Sequence, residues 1–310
     1  MNLIFISSSN DKEKWKELLI KEFPGLNFFS WPNKINNFDE IEYALVWKPP
    51  IGLLQKFTNL KAILSLGAGV DGVINDIKIP KHIPIIRLVD RGLTEGMTEY
   101  IVFWTLFHHR HMGDYAEIIK KRNWNNFPQN DARLTRIGIL GAGELGYNAA
   151  KALKFLNFDV SLWGRSQKEK IDFTYFYGDS GLKNLISQTD ILICLLPLTE
   201  KTKGILNKDT FSQMKKGAVI INCGRGAHLI DSDLIDALNF GQLSAATLDV
   251  FNKEPLEENH PFWEHKKIFL TPHIASLTNP ESAINEIASS IRLIESGKIP
   301  KHIIDLKKGY

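Results

Sequence analysis

Residues 136–155 restrict the fold more tightly than any other stretch of the chain. Arg136–Leu140 is a short apolar run that reads as a buried strand. It leads directly into Gly141-Ala142-Gly143-Glu144-Leu145-Gly146, and a helical pattern follows through Lys151–Phe155. A G-x-G-x-x-G match alone is weak, but here it sits between strand and helix, as its mechanism requires. Gly141 would make the tight turn, Gly143 would let a pyrophosphate approach the backbone, and Gly146 would let the helix lie close on the strand. The pyrophosphate would rest on unpaired N–H groups at the positive end of that helix. A turn that merely packs helix on strand remains the plainer alternative.

The turn belongs to a longer alternation. Apolar runs at Asn2–Ser7, Tyr43–Trp47, Ala62–Ser65 and Ile83–Leu88 read as strands, with a helix at Asp11–Phe23. After the glycine turn the strands resume at Val160–Trp163, Ile191–Leu195, Ala218–Asn222, Ala245–Val250 and Ile268–Leu270. Such a pattern predicts an α/β protein built from parallel βα units. A long helix is predicted from about Met97 to Lys121, with Tyr100, Phe103, Trp104 and Phe107 on one apolar face, and a last helix over Glu281–Glu295. Between these, Asn123–Arg133 is polar and reads as a linker or a surface loop. The 310 residues suggest about two domains. The expected arrangement is two doubly wound parallel-sheet domains, flavodoxin-like and Rossmann, over residues 1–99 plus 281–310 and residues 100–280.

Composition removes several function classes. A net charge of +3 argues against a polybasic nucleic-acid binder and against an acidic disordered tail. Two cysteines, Cys194 and Cys223, cannot build a disulfide framework and have no metal-ligand spacing, so no metal is expected. The apolar start is too short for a signal peptide and no later stretch would span a bilayer, which points to a cytoplasmic protein without a membrane partner.

The end of the strand after the glycine turn selects the cofactor. An NAD site usually carries Asp or Glu there to bond the ribose 2′-OH. This chain reads Leu162-Trp163-Gly164-Arg165-Ser166, with Lys168 and Lys170 nearby and Asp159 at the wrong end of the strand. An arginine and a hydroxyl suit a 2′-phosphate, so NADPH is expected, with NADH as a poorer alternative.

Three later strands end in single ionisable residues: Arg225 after Ile220–Asn222, Glu254 after Leu248–Val250, and His273 after Leu270. Ligands of open α/β sheets bind at the carboxyl ends of strands. Each residue alone is better explained as a helix-cap donor, a surface acid or a satisfied loop histidine; together, downstream of a dinucleotide turn, they form a candidate catalytic set. In the first domain, Leu66-Gly67-Ala68-Gly69-Val70 could present backbone N–H groups to a carboxylate, or be a turn that uses glycine for positive φ. Trp47 is either core or a wall of a small pocket.

With these motifs in their order, the chain resembles the D-isomer-specific 2-hydroxyacid dehydrogenases over nearly its whole length. The resemblance rests on Gly141–Gly146, Leu195–Asn207, Asn222–Gly226, Asp249–Leu256 and Thr271–Ser276. Tyr43–Pro50, Leu66–Gly72, Met97–Tyr100 and Gly309-Tyr310 are most similar to the glyoxylate/hydroxypyruvate reductase A branch. Lys48 and Thr98 depart from what that branch often carries.

The resemblance implies NADPH-dependent reduction of small 2-keto acids, glyoxylate to glycolate and hydroxypyruvate to D-glycerate. It implies that Arg225 binds the substrate carboxylate and carbonyl oxygen, that His273 donates the proton, and that Glu254 orients His273. It places Trp163, Arg165, Ser166, Leu196, Pro197, Leu198, Cys223, Gly224, Asp249 and Ser276, with the glycine turn, along the cofactor. Trp47, Ala68 and Gly69 fall on the substrate side, and a homodimer is implied. Two other readings stay open: an NAD-linked D-lactate or phosphoglycerate type of dehydrogenase, and a non-catalytic cofactor-sensing protein on the same fold.

Overall fold

The computed structural model describes residues 1–7, 11–33, 35–74, 76, 79–80, 82–306 and 309. Tyr310, one of the residues behind the family resemblance, lies outside the described residues. The chain forms two compact units, Met1–Leu93 with Leu277–Tyr310, and Thr94–Ser276.

The first unit holds strands β1 (Asn2–Ile6), β2 (Asn27–Ser30), β3 (Tyr43–Val46), β4 (Ala62–Ser65) and β5 (Ile85–Ile86). They form one sheet in the order β2-β1-β3-β4-β5 with parallel pairing throughout. Parallel strands need crossovers that cover both faces, which is why β1, β3 and β4 are apolar apart from Asn2 at the start of β1 and Ser65 at the end of β4. Ala62 and Leu64 of β4 join the core on one face with Trp15, Leu19 and Ile287, while Ile63 joins the other with Phe57 and Val73.

The second unit holds β6 (Arg136–Leu140), β7 (Asp159–Gly164), β8 (Thr174–Tyr177), β9 (Ile191–Cys194), β10 (Ala218–Asn222), β11 (Leu243–Leu248) and β12 (Ile268–Leu270). Their order is β12-β11-β10-β9-β6-β7-β8, again parallel. The winding reverses between β6 and β9, so the loops after these two neighbours open at the switch point where such sheets take ligands. On β10, Ala218 and Ile220 face one core and Val219 and Ile221 the other. Both sheets agree with the expected doubly wound α/β class.

Three expectations change. Strands β2 and β8 were not expected from the apolar pattern. Both are edge strands with no fully buried residue, so they lack the continuous run that marks their neighbours. The long helix expected from about Met97 to Lys121 is two helices, Arg91–His109 and Met112–Lys120. The break falls at His111, whose φ of 55° is left-handed and incompatible with continuing a right-handed helix. No helix among the described residues is long and apolar enough to cross a membrane.

Candidate active site

The glycine turn after β6 uses its three glycines for three different reasons. Gly141 has φ +113°, and a β-carbon there would also lie 2.8 Å from the Leu195 carbonyl oxygen. Gly146 is where helix Glu144–Phe155 meets the turn: a β-carbon would fall 1.8 Å from the Gly141 carbonyl oxygen. Gly143 is the N-cap of that helix, is exposed, and a β-carbon on it would meet nothing within 4 Å. The first two glycines serve the fold. The third leaves open space at a helix N-terminus, where anions are favoured. Ala142 is buried, while Glu144 is exposed and Leu145 half-buried in the first turn.

At the end of β7, Trp163 is buried and donates from Nε1 to the Gly178 carbonyl oxygen, 2.9 Å. Arg165 and Ser166 are exposed just beyond it. Asp159 begins the strand, at the opposite end, and faces Arg136 at 3.7 Å. Lys168 donates from Nζ to the Ala142 carbonyl oxygen, so a second cation crosses back to the glycine turn. No carboxylate occupies the position after β7 that a 2′-hydroxyl would need.

The Arg225 loop is built by its neighbours. Fully buried Asn222 accepts from Gly224 N–H at 3.2 Å and donates from Nδ2 to the Arg225 carbonyl oxygen at 3.2 Å. His228, also fully buried, accepts the Arg225 N–H at Nδ1, 3.0 Å, and its Nε2 lies 3.3 Å from the Pro197 carbonyl oxygen. A carbonyl only accepts, so the ring is the tautomer protonated on Nε2. His228 thus ties the Arg225 loop to the Leu196-Pro197-Leu198 segment after β9. Gly224 lacks a β-carbon that would sit 2.8 Å from this ring. The Arg225 guanidinium donates from Nη1 to the Gly224 carbonyl oxygen at 2.7 Å, which fixes one arm of its fork. Cys223 and Cys194 are buried thiols; burial pushes Cys194 up to about 12 and Cys223 well above the usual thiol range, so both are unreactive.

The next loop brings the acid and the histidine together. A β-carbon on Gly226 would fall 1.9 Å from the Phe251 carbonyl carbon, so the turn that carries Arg225 lies directly on Phe251–Asn252. Three residues on, the Glu254 carboxylate accepts Phe251 N–H at 3.1 Å through Oε1 and meets His273 Nδ1 at 2.9 Å through Oε2. Glu254 and His273 are both half-buried.

His273 has φ 56°, the strained left-handed region that histidine enters only when its surroundings hold it there. Asp249 supplies that hold. Its carboxylate accepts the Thr271 hydroxyl at 2.6 Å and Ile274 N–H at 2.8 Å through Oδ1, and Ala275 N–H at 2.9 Å through Oδ2. Burial raises the Asp249 carboxyl above its ordinary range, and the three donors act against that rise. Since the Thr271 proton goes to Asp249, the Tyr100 phenol must donate to Thr271 Oγ1, 2.6 Å away. Ser276 ends the segment beside Gly96, where a β-carbon would meet its Oγ at 3.1 Å.

Sequence reasoning missed His228, Thr271 and Tyr100 as parts of this frame. The spacings Arg225/His228 and Thr271/His273 are the only local signals, and Tyr100 is distant in sequence from its partner.

In the first unit, the Trp47 indole packs against Gly67, where a β-carbon would be 2.4 Å from Trp47 Cζ3. Trp47 is half-buried against the core. Gly67 N–H is taken by the buried Ser65 hydroxyl at 3.2 Å, which leaves Ala68 and Gly69 as the donors of this turn that could face an anion. Neither Gly67 nor Gly69 has positive φ, so Gly67 is required by the tryptophan and not by a left-handed turn. Lys48 does have positive φ, 46°.

A family model described as "D-isomer specific 2-hydroxyacid dehydrogenase, NAD binding domain" matches residues 102–275. The chain is 39% identical to glyoxylate/hydroxypyruvate reductase A of Yersinia enterocolitica, with 100% of both chains covered. Among solved structures, a D-isomer specific 2-hydroxyacid dehydrogenase from Xanthobacter autotrophicus Py2, in complex with NADPH and MES, superposes with a TM-score of 0.95 at 34% identity, covering 100% of this chain and 99% of that one. An NADPH-dependent glyoxylate/hydroxypyruvate reductase from Sinorhizobium meliloti, in complex with NADP and sulfate, gives a TM-score of 0.93 at 32% identity with the same coverage.

Proposed function

Because the chain belongs to the D-isomer specific 2-hydroxyacid dehydrogenase family, we propose that it reduces glyoxylate to glycolate and hydroxypyruvate to D-glycerate with NADPH. The observation that carries this reading is the Glu254–His273 pair, with Glu254 on the loop that also seats the Arg225 turn. The names of the relatives and the NADPH and NADP held by the structural neighbours support it.

The cofactor supplies the hydride that adds to the keto carbon. Arg225 binds the substrate carboxylate and the carbonyl oxygen, and its charge stabilises that oxygen as it becomes alkoxide-like. With Nδ1 on Glu254, His273 has Nε2 to give the proton to the same oxygen. Glu254 orients the ring and favours its charged form. The turn Gly141–Gly146, with Ala142, Glu144 and Leu145, cradles the pyrophosphate, and Arg165 and Ser166 take the 2′-phosphate. Trp163, Leu196, Pro197, Leu198, Cys223, Gly224, Asp249 and Ser276 shape the rest of the groove. The open space at Gly143 fits the pyrophosphate of either dinucleotide, and the absence of an acid after β7 disfavours an NAD-linked dehydrogenase.

On the same reading the first unit is the substrate domain and the second the cofactor domain. Ala68 and Gly69 offer N–H groups to the substrate carboxylate, and Trp47 limits its size. The chain works as a cytoplasmic homodimer, joined through apolar residues of the second unit such as Phe103 and Trp124, which are 57% and 100% exposed.

The test is NADPH and NADH oxidation with glyoxylate, hydroxypyruvate and phenylpyruvate. Both small acids should be turned over with a higher kcat/KM for NADPH than for NADH. Faster turnover of phenylpyruvate, or a preference for NADH, would overturn the substrate or the cofactor assignment respectively.

A further inference from the structure

The turn that follows β7 is clamped from two sides by residues that the proposed chemistry does not use. On one side, Tyr175 of β8 donates its phenol to the Ser166 carbonyl oxygen at 2.7 Å. Gly164 makes room for that phenol, since a β-carbon there would lie 2.4 Å from the Tyr175 hydroxyl. On the other side, Arg165 Nη2 donates to Thr199 Oγ1 at 3.1 Å. Thr199 stands in the loop after β9, across the switch point from β7.

The Thr199 contact is the head of a directed chain. Thr202 is buried and gives its single hydroxyl proton to backbone carbonyl oxygens, that of Pro197 at 2.7 Å and that of Thr199 at 3.2 Å. Its Oγ1 lies 3.1 Å from Thr199 Oγ1, so Thr199 must be the donor of that pair. Thr199 N–H also donates to Thr202 Oγ1, at 2.8 Å. Thr199 therefore spends its proton inside the loop and turns a lone pair to Arg165. A hydroxyl with that polarity accepts from a guanidinium and repels nothing on it. Arginine holds five donors in a rigid fork, so anchoring one arm restricts where the others point.

We propose that Tyr175 and Thr199 are positioning residues that hold Arg165 and Ser166 ready for a 2′-phosphate and so set the discrimination between NADPH and NADH. The inference rests on the proposed NADPH reading and deepens it. Ordering an exposed arginine before the ligand arrives removes an entropic cost that would otherwise fall on phosphate binding. That gain accrues only to a ligand carrying the 2′-phosphate. NADH, which has a hydroxyl there, gains nothing from the clamp.

The experiment is fluorescence titration of NADPH and NADH without keto acid, with competition by adenosine 2′,5′-bisphosphate and by AMP. It compares wild type, Tyr175→Phe, Thr199→Val, Thr199→Ser and Arg165→Ala. Tyr175→Phe and Thr199→Val should each weaken NADPH and the bisphosphate about fivefold, the scale of one lost hydrogen bond, with NADH and AMP unchanged. Thr199→Ser should restore wild-type affinity. Equal losses for both cofactors, or no loss, would overturn the inference. If Arg165→Ala leaves the NADPH-to-NADH affinity ratio unchanged, the cofactor reading itself fails. If Arg165→Ala collapses that ratio while Tyr175→Phe and Thr199→Val do not, only the positioning roles fail.

Discussion

His273 Nδ1 lies 2.9 Å from Glu254 Oε2, and the other oxygen of that carboxylate accepts the N–H of Phe251 at 3.1 Å. One carboxylate therefore fixes both the histidine ring and the loop that supports the Arg225 turn. Replacing Glu254 with Gln keeps the shape but removes the charge and one acceptor. The expected result is a kcat for glyoxylate reduction lower by about 10- to 100-fold, the scale of a lost charge-assisted bond, with NADPH affinity unchanged. Steady-state kinetics beside a fluorescence titration of NADPH separates the two, and an unaltered kcat would remove Glu254 from the mechanism.

Asp249 acts through the backbone that carries His273. Its oxygens hold Thr271, Ile274 and Ala275 around a residue at φ 56°. Asp249→Ala would take the acceptor from all three donors at once, the buried Ala275 N–H among them. A loss of about 3–5 kcal/mol in unfolding free energy is expected, together with a fall in kcat, because His273 is no longer held in its strained conformation. Urea denaturation reads the first effect and turnover the second.

The glycine turn makes a differential prediction. Gly146→Ala would drive a methyl group to 1.8 Å from the Gly141 carbonyl oxygen, whereas Gly143→Ala meets nothing within 4 Å. The first variant should be strongly destabilised. The second should melt with the wild type and yet bind NADPH at least about tenfold more weakly, because its methyl group occupies the approach of the pyrophosphate. Thermal melts and cofactor titration of both variants check this. Normal NADPH binding by Gly143→Ala would argue for a turn that only packs.

His108 predicts an acid limit to stability. Its ring is packed among Trp104, Phe107 and Phe269, bonds Thr247 Oγ1 at 2.8 Å, and is lowered by burial from 6.5 to about 4. Above pH 6.5 the ring is neutral in both states. Below it the unfolded chain takes up a proton that the folded chain refuses, so stability falls between pH 6.5 and 4 with a slope approaching about 1.4 kcal/mol per pH unit from this group. His108→Gln should show a shallower loss between pH 7 and 5 in urea denaturation. Parallel pH profiles would contradict the assignment.

Much of this was legible in the chain because parallel strands buried on both faces must be continuous apolar runs, as Ile191–Cys194 and residues 218–221 are. The glycine turn and the ends of β7 and β10 followed from those runs. What was not legible depends on contacts that are remote in sequence or polar. Thr174–Tyr177 and Asn27–Ser30 pair only along one edge and carry no pattern of burial. The break at His111 is a single backbone torsion inside a helical pattern. Tyr100 meets Thr271 across 171 positions, and His228 reaches Pro197 across 31, distances over which no local motif speaks.

The most direct test of the mechanism is single-turnover reduction of glyoxylate by NADPH-loaded wild type and His273→Asn. Loss of the proton donor should slow the reaction by about 10²- to 10⁴-fold while the dissociation constant of NADPH stays within twofold of wild type. A His273→Asn enzyme that reduces glyoxylate at a near-normal rate would contradict the account.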